Sequence, residues 1–153
     1  MRALGTYTGA LRRVVLAVKD GRRDVARALG ERLAHLISPG AILVPVPTTG
    51  SRRRVRGIDG VYEIAQAART AGASLREGLK HAASDAQRGR SREARLLARG
   101  RFRCTAKFDG AKMLLIDDVC TTGATPEDCA RALRSCGAAV NEALVAALSR
   151  DQT

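Results

Sequence analysis

The stretch Met113-Leu-Leu-Ile-Asp-Asp-Val-Cys-Thr-Thr-Gly-Ala-Thr125 constrains this chain more than any other. Its apolar run suits a buried strand and delivers two adjacent carboxylates, Asp117 and Asp118. A turn of small hydroxyl residues with Gly123 follows. Helical spacing then runs over residues 125–136, with Ala130 and Leu133 inward and Gly137 as the stop. Backbone N–H groups in such a turn, backed by a helix N-terminus, form a nest for one phosphate group. Thr121, Thr122 and Thr125 add hydroxyl donors, and Gly123 removes a Cβ where the backbone must approach a ligand. Two carboxylates beside a phosphate would repel it unless they serve something else, and ribose hydroxyls or a hydrated Mg²⁺ are the candidates. Each piece alone is an ordinary strand end, turn or helix start; the joined order carries the information. It is neither a Walker loop nor a Gly-x-Gly-x-x-Gly dinucleotide fingerprint.

The rest of the chain supplies the partners such a unit needs. Residues 11–18 read as a short helix ended by Asp20-Gly21. A second helix is predicted from Asp24 to Leu36, with Val25, Leu29, Leu33 and Leu36 on one face. Residues 41–46 form a short β-branched run between Gly40 and Pro47, predicted as a buried strand. Residues 48–57 read as a polar, basic loop, and residues 58–71 as a helix with Val61, Ile64, Ala65 and Ala68 inward. Residues 74–103 are charged and rich in Gly, Ser and Arg, with helical spacing only over 92–97. Residues 112–116 and 138–148 read as strands, the latter interrupted at Asn141-Glu142. Strands alternating with helices predict an α/β fold with a mostly parallel sheet flanked by helices, and functional loops at the strand C-terminal ends. At 153 residues the chain suits one such domain, 1–153.

Composition narrows the function classes. Aromatics make up 3% and tryptophan is absent, so there are no platforms on which nucleic-acid bases could stack. The net charge of +12 comes mostly from arginine, whose planar fork suits polyphosphates and also weak, non-specific nucleic-acid binding. One cluster is Arg52, Arg53, Arg54 and Arg56; a second, Arg88 to Arg103, has seven arginines against one acid, Glu93. Cysteines 104, 120, 129 and 136 form no C-x-x-C pair, and the histidines are His35 and His81, which argues against a zinc site. They read as scattered small core residues, with Cys120 packed behind the nest. No apolar run is long enough to span a membrane, and a cytoplasmic protein is the default expectation.

The thirteen residues from Met113 to Thr125 resemble the phosphoribosyl-diphosphate signature of type I phosphoribosyltransferases. More of the chain resembles the ComF-like, competence-associated branch of that family. Tyr7, Gly9, Leu11 and Arg12, then Lys19-Asp20-Gly21, look like its N-terminal segment. Val44-Pro-Val-Pro47, the arginine cluster and Arg56-Gly57 look like its next block, and Gln87, Arg95 and Phe102 fall near matching positions beyond it. The branch's usual N-terminal zinc segment is not in this sequence. Where the branch has Arg-Gly-Phe-Asn-Gln, this chain has Arg56-Gly57-Ile58-Asp59-Gly60, and Ala98 stands where an asparagine is usual.

The resemblance implies a phosphoribosyltransferase-like architecture with residues 1–39 as a helical hood and 74–103 as a flexible lid. Asp117 and Asp118 would hold the ribose 2- and 3-hydroxyls, directly or through water on Mg²⁺. Thr121, Thr122, Gly123, Ala124 and Thr125 would cradle the 5-phosphate. Thr48 and Thr49 would form the diphosphate loop, which in this class often carries a non-proline cis peptide. Arg52 and Arg56 would neutralise the diphosphate, and Lys80, Arg88 and Arg90 are candidates for catalytic contact with it as it departs. The implied chemistry is transfer of the phosphoribosyl group to an unidentified nitrogenous acceptor. A homodimer is the family's usual assembly. The alternatives are a non-catalytic module binding phosphoribosyl diphosphate or a nucleotide, and an accessory nucleic-acid-handling protein linked to DNA uptake.

Overall fold

A computed structural model describes residues 1–69, 72–82 and 100–149. Its elements in chain order are β1 (Arg2–Thr6), α1 (Gly9–Lys19), α2 (Arg23–Ala34), β2 (Ile42–Pro45), α3 (Gly50–Arg56) and α4 (Gly60–Ala68). They continue with β3 (Ser74–Leu75), β4 (Leu79–His81), β5 (Phe102–Cys104), β6 (Lys112–Cys120), α5 (Ala124–Arg134) and β7 (Ala139–Leu148). Five strands form one sheet in the order β1-β7-β6-β2-β3, every pair parallel. The β4 and β5 strands form a separate antiparallel pair.

A parallel sheet needs both faces covered, and alternation along its central strands provides two apolar faces. Leu43, Leu114, Ile116 and Leu144 pack on one side with Val15, Leu29, Leu33 and Ile64 from α1, α2 and α4. Val44, Met113, Leu115 and Val140 pack on the other with Cys129 and Leu133 of α5, and with Leu79 and Phe102 of the β4–β5 pair. The predicted α/β fold, a mostly parallel sheet flanked by helices, is the one observed.

Four local expectations are corrected. Residues 48–57 contain α3 rather than continuous loop: the Thr49 hydroxyl accepts the Arg52 N–H at the start, arginines are good helix formers, and Gly57 ends it in the left-handed region. The β6 strand continues past Ile116 to Cys120, because β7 goes on pairing with it through Asp117↔Val145, Val119↔Ala147 and Cys120↔Leu148. The interruption expected at Asn141-Glu142 is a bulge inside one continuous strand: Met113 pairs with Val140 and Leu114 with Glu142, leaving Asn141 as the extra residue. Finally, residues 1–39 begin with a strand. Short and weakly apolar, β1 gives no strong sequence signal and is held as an edge of the sheet by its register with β7.

The end of α1 is fixed by close approach to the start of α4. A Cβ on Gly60 would lie 2.5 Å from Val18 Cγ1. Helix α1 therefore runs from the end of β1 to the segment that follows β2, across the region where the central strands end.

Candidate functional site

All five parallel strands end on the same edge of the sheet, and ligand sites in such folds form beyond that edge. The acid pair sits in the last turn of pleat of β6, with Asp117 buried at 8% exposure and Asp118 half-buried. Strand alternation alone would send the two side chains to opposite faces. The link between them runs through the backbone of Asp118. The Asp118 N–H donates to Asp117 Oδ1 at 2.8 Å, and the Val119 N–H donates to Asp118 Oδ1 at 2.7 Å. Burial first, then the negative charge of Asp118, raise Asp117 to about 8, against the opposing pull of the Asp118 N–H and of Lys19. Lys19, the last residue of α1, places Nζ 3.6 Å from Asp118 Oδ2 and 5.9 Å from the centre of the Tyr7 ring. No spacing within its own segment marks Lys19 for this place; only the path of α1 brings it there.

Beyond Cys120 the turn is short. Thr121 and Thr122 are exposed, and Gly123 adopts φ 75°, ψ −10°, a left-handed conformation that glycine takes without a Cβ penalty. The Thr122 hydroxyl accepts the Ala124 N–H at 3.4 Å, and the Gly123 carbonyl accepts the Glu127 N–H at 3.1 Å. Pro126 has no N–H, so the first-turn donors are confined to residues up to Thr125. The segment predicted as a phosphate nest is thus a strand, a three-residue turn and a helix start in that order.

The other residues distribute differently. Thr48 and Thr49 follow β2 on the same edge. Thr48 gives its hydroxyl to Asp59 Oδ1 at 3.0 Å, while Thr49 caps α3. Arg52 and Arg56 lie one turn apart on α3, Arg52 exposed and Arg56 half-buried. Asp59 caps α4 by accepting the Tyr62 N–H and pairs with Arg53 at 3.1 Å. No peptide bond among the described residues is cis, the Thr48–Thr49 loop included.

His81 of β4 shares a hydrogen bond with the Pro47 carbonyl at 2.9 Å and stacks obliquely on Phe102, so it ties the β4–β5 pair to the loop after β2. Lys80 is exposed, on the opposite side of β4 from Leu79 and His81. Arg88, Arg90, the helical spacing at 92–97 and most of the proposed lid lie outside the described residues. Arg101, which no motif marks, reaches the start of α5. Its guanidinium donates to Thr125 Oγ1 at 3.2 Å and lies 5.8 Å from the Phe102 ring centre. Asp128 fixes that segment by accepting the N–H groups of Gly100 and Arg101 at 3.0 and 2.8 Å, together with Arg131 at 2.6 Å. Burial alone would raise Asp128, but these hydrogen bonds, Arg131 foremost, hold it below the usual carboxylate value. The Asp128–Arg131 spacing of three was a readable signal; the contact with residues 100–101 was not.

Among the described residues no group of three or more His, Cys, Asp or Glu side chains could hold a metal ion. Asp118 is engaged by Lys19 and Val119, and Asp117 by the Asp118 N–H. The acid pair therefore fits Mg²⁺ only as part of a shell, the remaining oxygens coming from substrate and water. Cys129 lies behind the pair: burial, then the charge of Asp117, push its thiol well above the usual range, which suits packing rather than reactivity. A cavity of about 350 Å³ lined by Arg2, Lys112, Ala139 and Glu142 opens at the N-terminal ends of β6 and β7, remote from the turn. Among the described residues no helix is long and apolar enough to cross a membrane.

No family model matches the chain, and no curated protein matches it. A solved structure, that of a hypoxanthine phosphoribosyltransferase from Staphylococcus aureus, is distantly similar at 14% identity and a TM-score of 0.44. The likeness covers 87% of this chain and 65% of that one.

Proposed function

We propose that this chain binds phosphoribosyl diphosphate with Mg²⁺ and transfers the phosphoribosyl group to a nitrogenous acceptor, releasing diphosphate. The observation that carries the reading is the junction of β6 and α5. An acid pair of buried Asp117 and half-buried Asp118, a Thr-Thr-Gly turn with a left-handed glycine and a helix start follow one another on the ligand edge of a parallel sheet. In this reading the 5-phosphate is held by N–H and hydroxyl groups from Thr121 to Thr125, where the helix N-terminus favours an anion. Asp117 and Asp118 receive the ribose hydroxyls. Thr48, Thr49, Arg52 and Arg56 face the diphosphate, and Lys80, Arg88 and Arg90 remain proposed contacts to it as it leaves.

The reaction forms a bond from the acceptor nitrogen to C1 of the ribose and breaks the bond from C1 to the diphosphate oxygen. Diphosphate leaves with that electron pair, and the acceptor nitrogen loses a proton. Asp117 and Asp118 would help to hold Mg²⁺, which would neutralise charge on the leaving diphosphate. The chain's own arginines add fixed positive charge at the same place.

A second reading, a module that binds the sugar phosphate without turnover, is favoured by one observation. The Thr48 hydroxyl and the Arg53 guanidinium are both engaged by Asp59, which draws groups of the diphosphate loop into an internal network. Incubation with phosphoribosyl diphosphate, Mg²⁺ and a panel of purine and pyrimidine bases separates the two. Acceptor-dependent diphosphate release that is lost in Asp118→Asn supports transfer. Saturable binding with no release for any acceptor supports the module.

A further inference from the structure

By resemblance the N-terminal segment is a hood with no further part in handling the sugar phosphate. Yet α1 ends beside β6, and its last residue is the one cation within ion-pair distance of the acid pair among the described residues. Lys19 is 30% exposed and Asp118 14%, so the pair is shielded from bulk water on most sides. The Tyr7 ring lies 5.9 Å from Nζ, and Arg12 lies 6.0 Å from the same ring. The ammonium is thus set between an aromatic face and a carboxylate, both of which favour a positive charge. Tyr7 is itself fixed by its N–H bond to the Leu148 carbonyl, at the end of β7. Without a counter-cation the Asp118 carboxylate, beside Asp117, would repel an incoming phosphate or attract a divalent ion from solution.

We propose that Lys19 is a positioning residue that acts through Asp118. Its ammonium is the resident counter-cation of the acid pair, holding the Asp118 carboxylate in place and keeping a divalent ion from settling there before a phosphorylated sugar arrives. Metal entry then depends on the oxygens that the sugar phosphate brings. The proposal rests on reading the β6–α5 turn as a phosphoribosyl site, but the charge relationship between Lys19 and Asp118 is testable apart from it.

The test is calorimetric titration with Mg²⁺ alone, and separately with ribose 5-phosphate in chelator, on wild type, Lys19→Met, Lys19→Gln and Lys19→Arg. Circular dichroism melts identify the variants that fold, and the two neutral substitutions give two chances of a folded charge deletion. The expected result is Mg²⁺ binding tightened about two- to fivefold in the neutral variants, the scale of one partly screened ion pair. Adding Asp118→Asn abolishes that gain, and Lys19→Arg behaves as wild type. Ribose 5-phosphate binding weakens in the neutral variants and recovers in Lys19→Arg, a pattern that a merely structural role would not produce. Equal Mg²⁺ affinity in wild type and folded neutral variants would overturn the counter-cation role. Failure of wild type to bind ribose 5-phosphate, with the Mg²⁺ gain still present, would overturn the ligand assignment and leave the counter-cation role standing.

Discussion

Thr48 donates its hydroxyl to Asp59 Oδ1 at 3.0 Å, and this bond joins the loop after β2 to the start of α4. In the sequence, Asp59 stands where the resembling branch has asparagine, and it reads there as an added negative charge. In the fold it is a helix cap, an acceptor for Thr48 and the partner of Arg53. Asp59→Ala should lower stability by about 0.5–2 kcal/mol through loss of the cap, measured as the shift in urea midpoint. Asp59→Asn keeps both acceptor roles and should retain most of that stability; equal losses in the two variants would contradict the capping role.

At Gly30 helix α2 packs closely against α4. A Cβ there would lie 2.3 Å from the Ile64 carbonyl oxygen and 2.7 Å from Ala67 Cβ. Backbone on one side and a methyl on the other leave no flexible group to yield. Gly30→Ala should therefore destabilise by about 1–3 kcal/mol, although alanine is the better helix former. Chemical denaturation decides it, since a more stable variant would mean the two helices separate freely.

Asp128 anchors residues 100–101 to α5 through two backbone N–H bonds while also holding Arg131. Asp128→Ala leaves those donors without their acceptor and should cost about 1–3 kcal/mol. Hydrogen exchange at the Gly100 and Arg101 amides should accelerate more than exchange in the β6 and β7 strands. Uniform acceleration across the chain would show that the anchor is not local.

The acidic groups act in opposite directions on stability with pH. Asp117 is raised from its ordinary value of 3.8 to about 8, so between those values the folded state holds a proton that the unfolded state has released. Its contribution is fully present below about 4 and is lost as pH rises through 8. Asp128 is lowered, so its contribution is present above the ordinary value and is lost as pH falls through the folded one. Asp117→Asn should flatten the decline in melting temperature between pH 5 and 8, and Asp128→Asn should reduce the loss at low pH. An unchanged slope from pH 5 to 8 in Asp117→Asn would contradict a buried acid at that position.

Alternation along β2 and β6, and the 3.6-residue spacing of α2, α4 and α5, were readable because burial imposes a period on apolar residues. The order of acid pair, turn and helix was readable for the same local reason. What escaped the sequence is set by distant contacts. The β1 strand exists through pairing with β7, and α3 is hidden beneath a run of arginines that resembles a solvated loop. Lys19 and Arg101 reach the site through the paths of α1 and the β4–β5 pair, which no spacing within either segment encodes. The β7 bulge falls between the two readings: Asn141-Glu142 marked an irregularity, and pairing with β6 decided its form.

The most direct measurement is calorimetric titration of phosphoribosyl diphosphate, with and without Mg²⁺, into wild type, Asp118→Asn and Thr122→Ala. A sugar phosphate held by the β6–α5 turn predicts saturable, Mg²⁺-strengthened binding in wild type that both substitutions weaken while the proteins remain folded. Absence of saturable binding in folded wild type, or binding that neither substitution alters, would contradict the site.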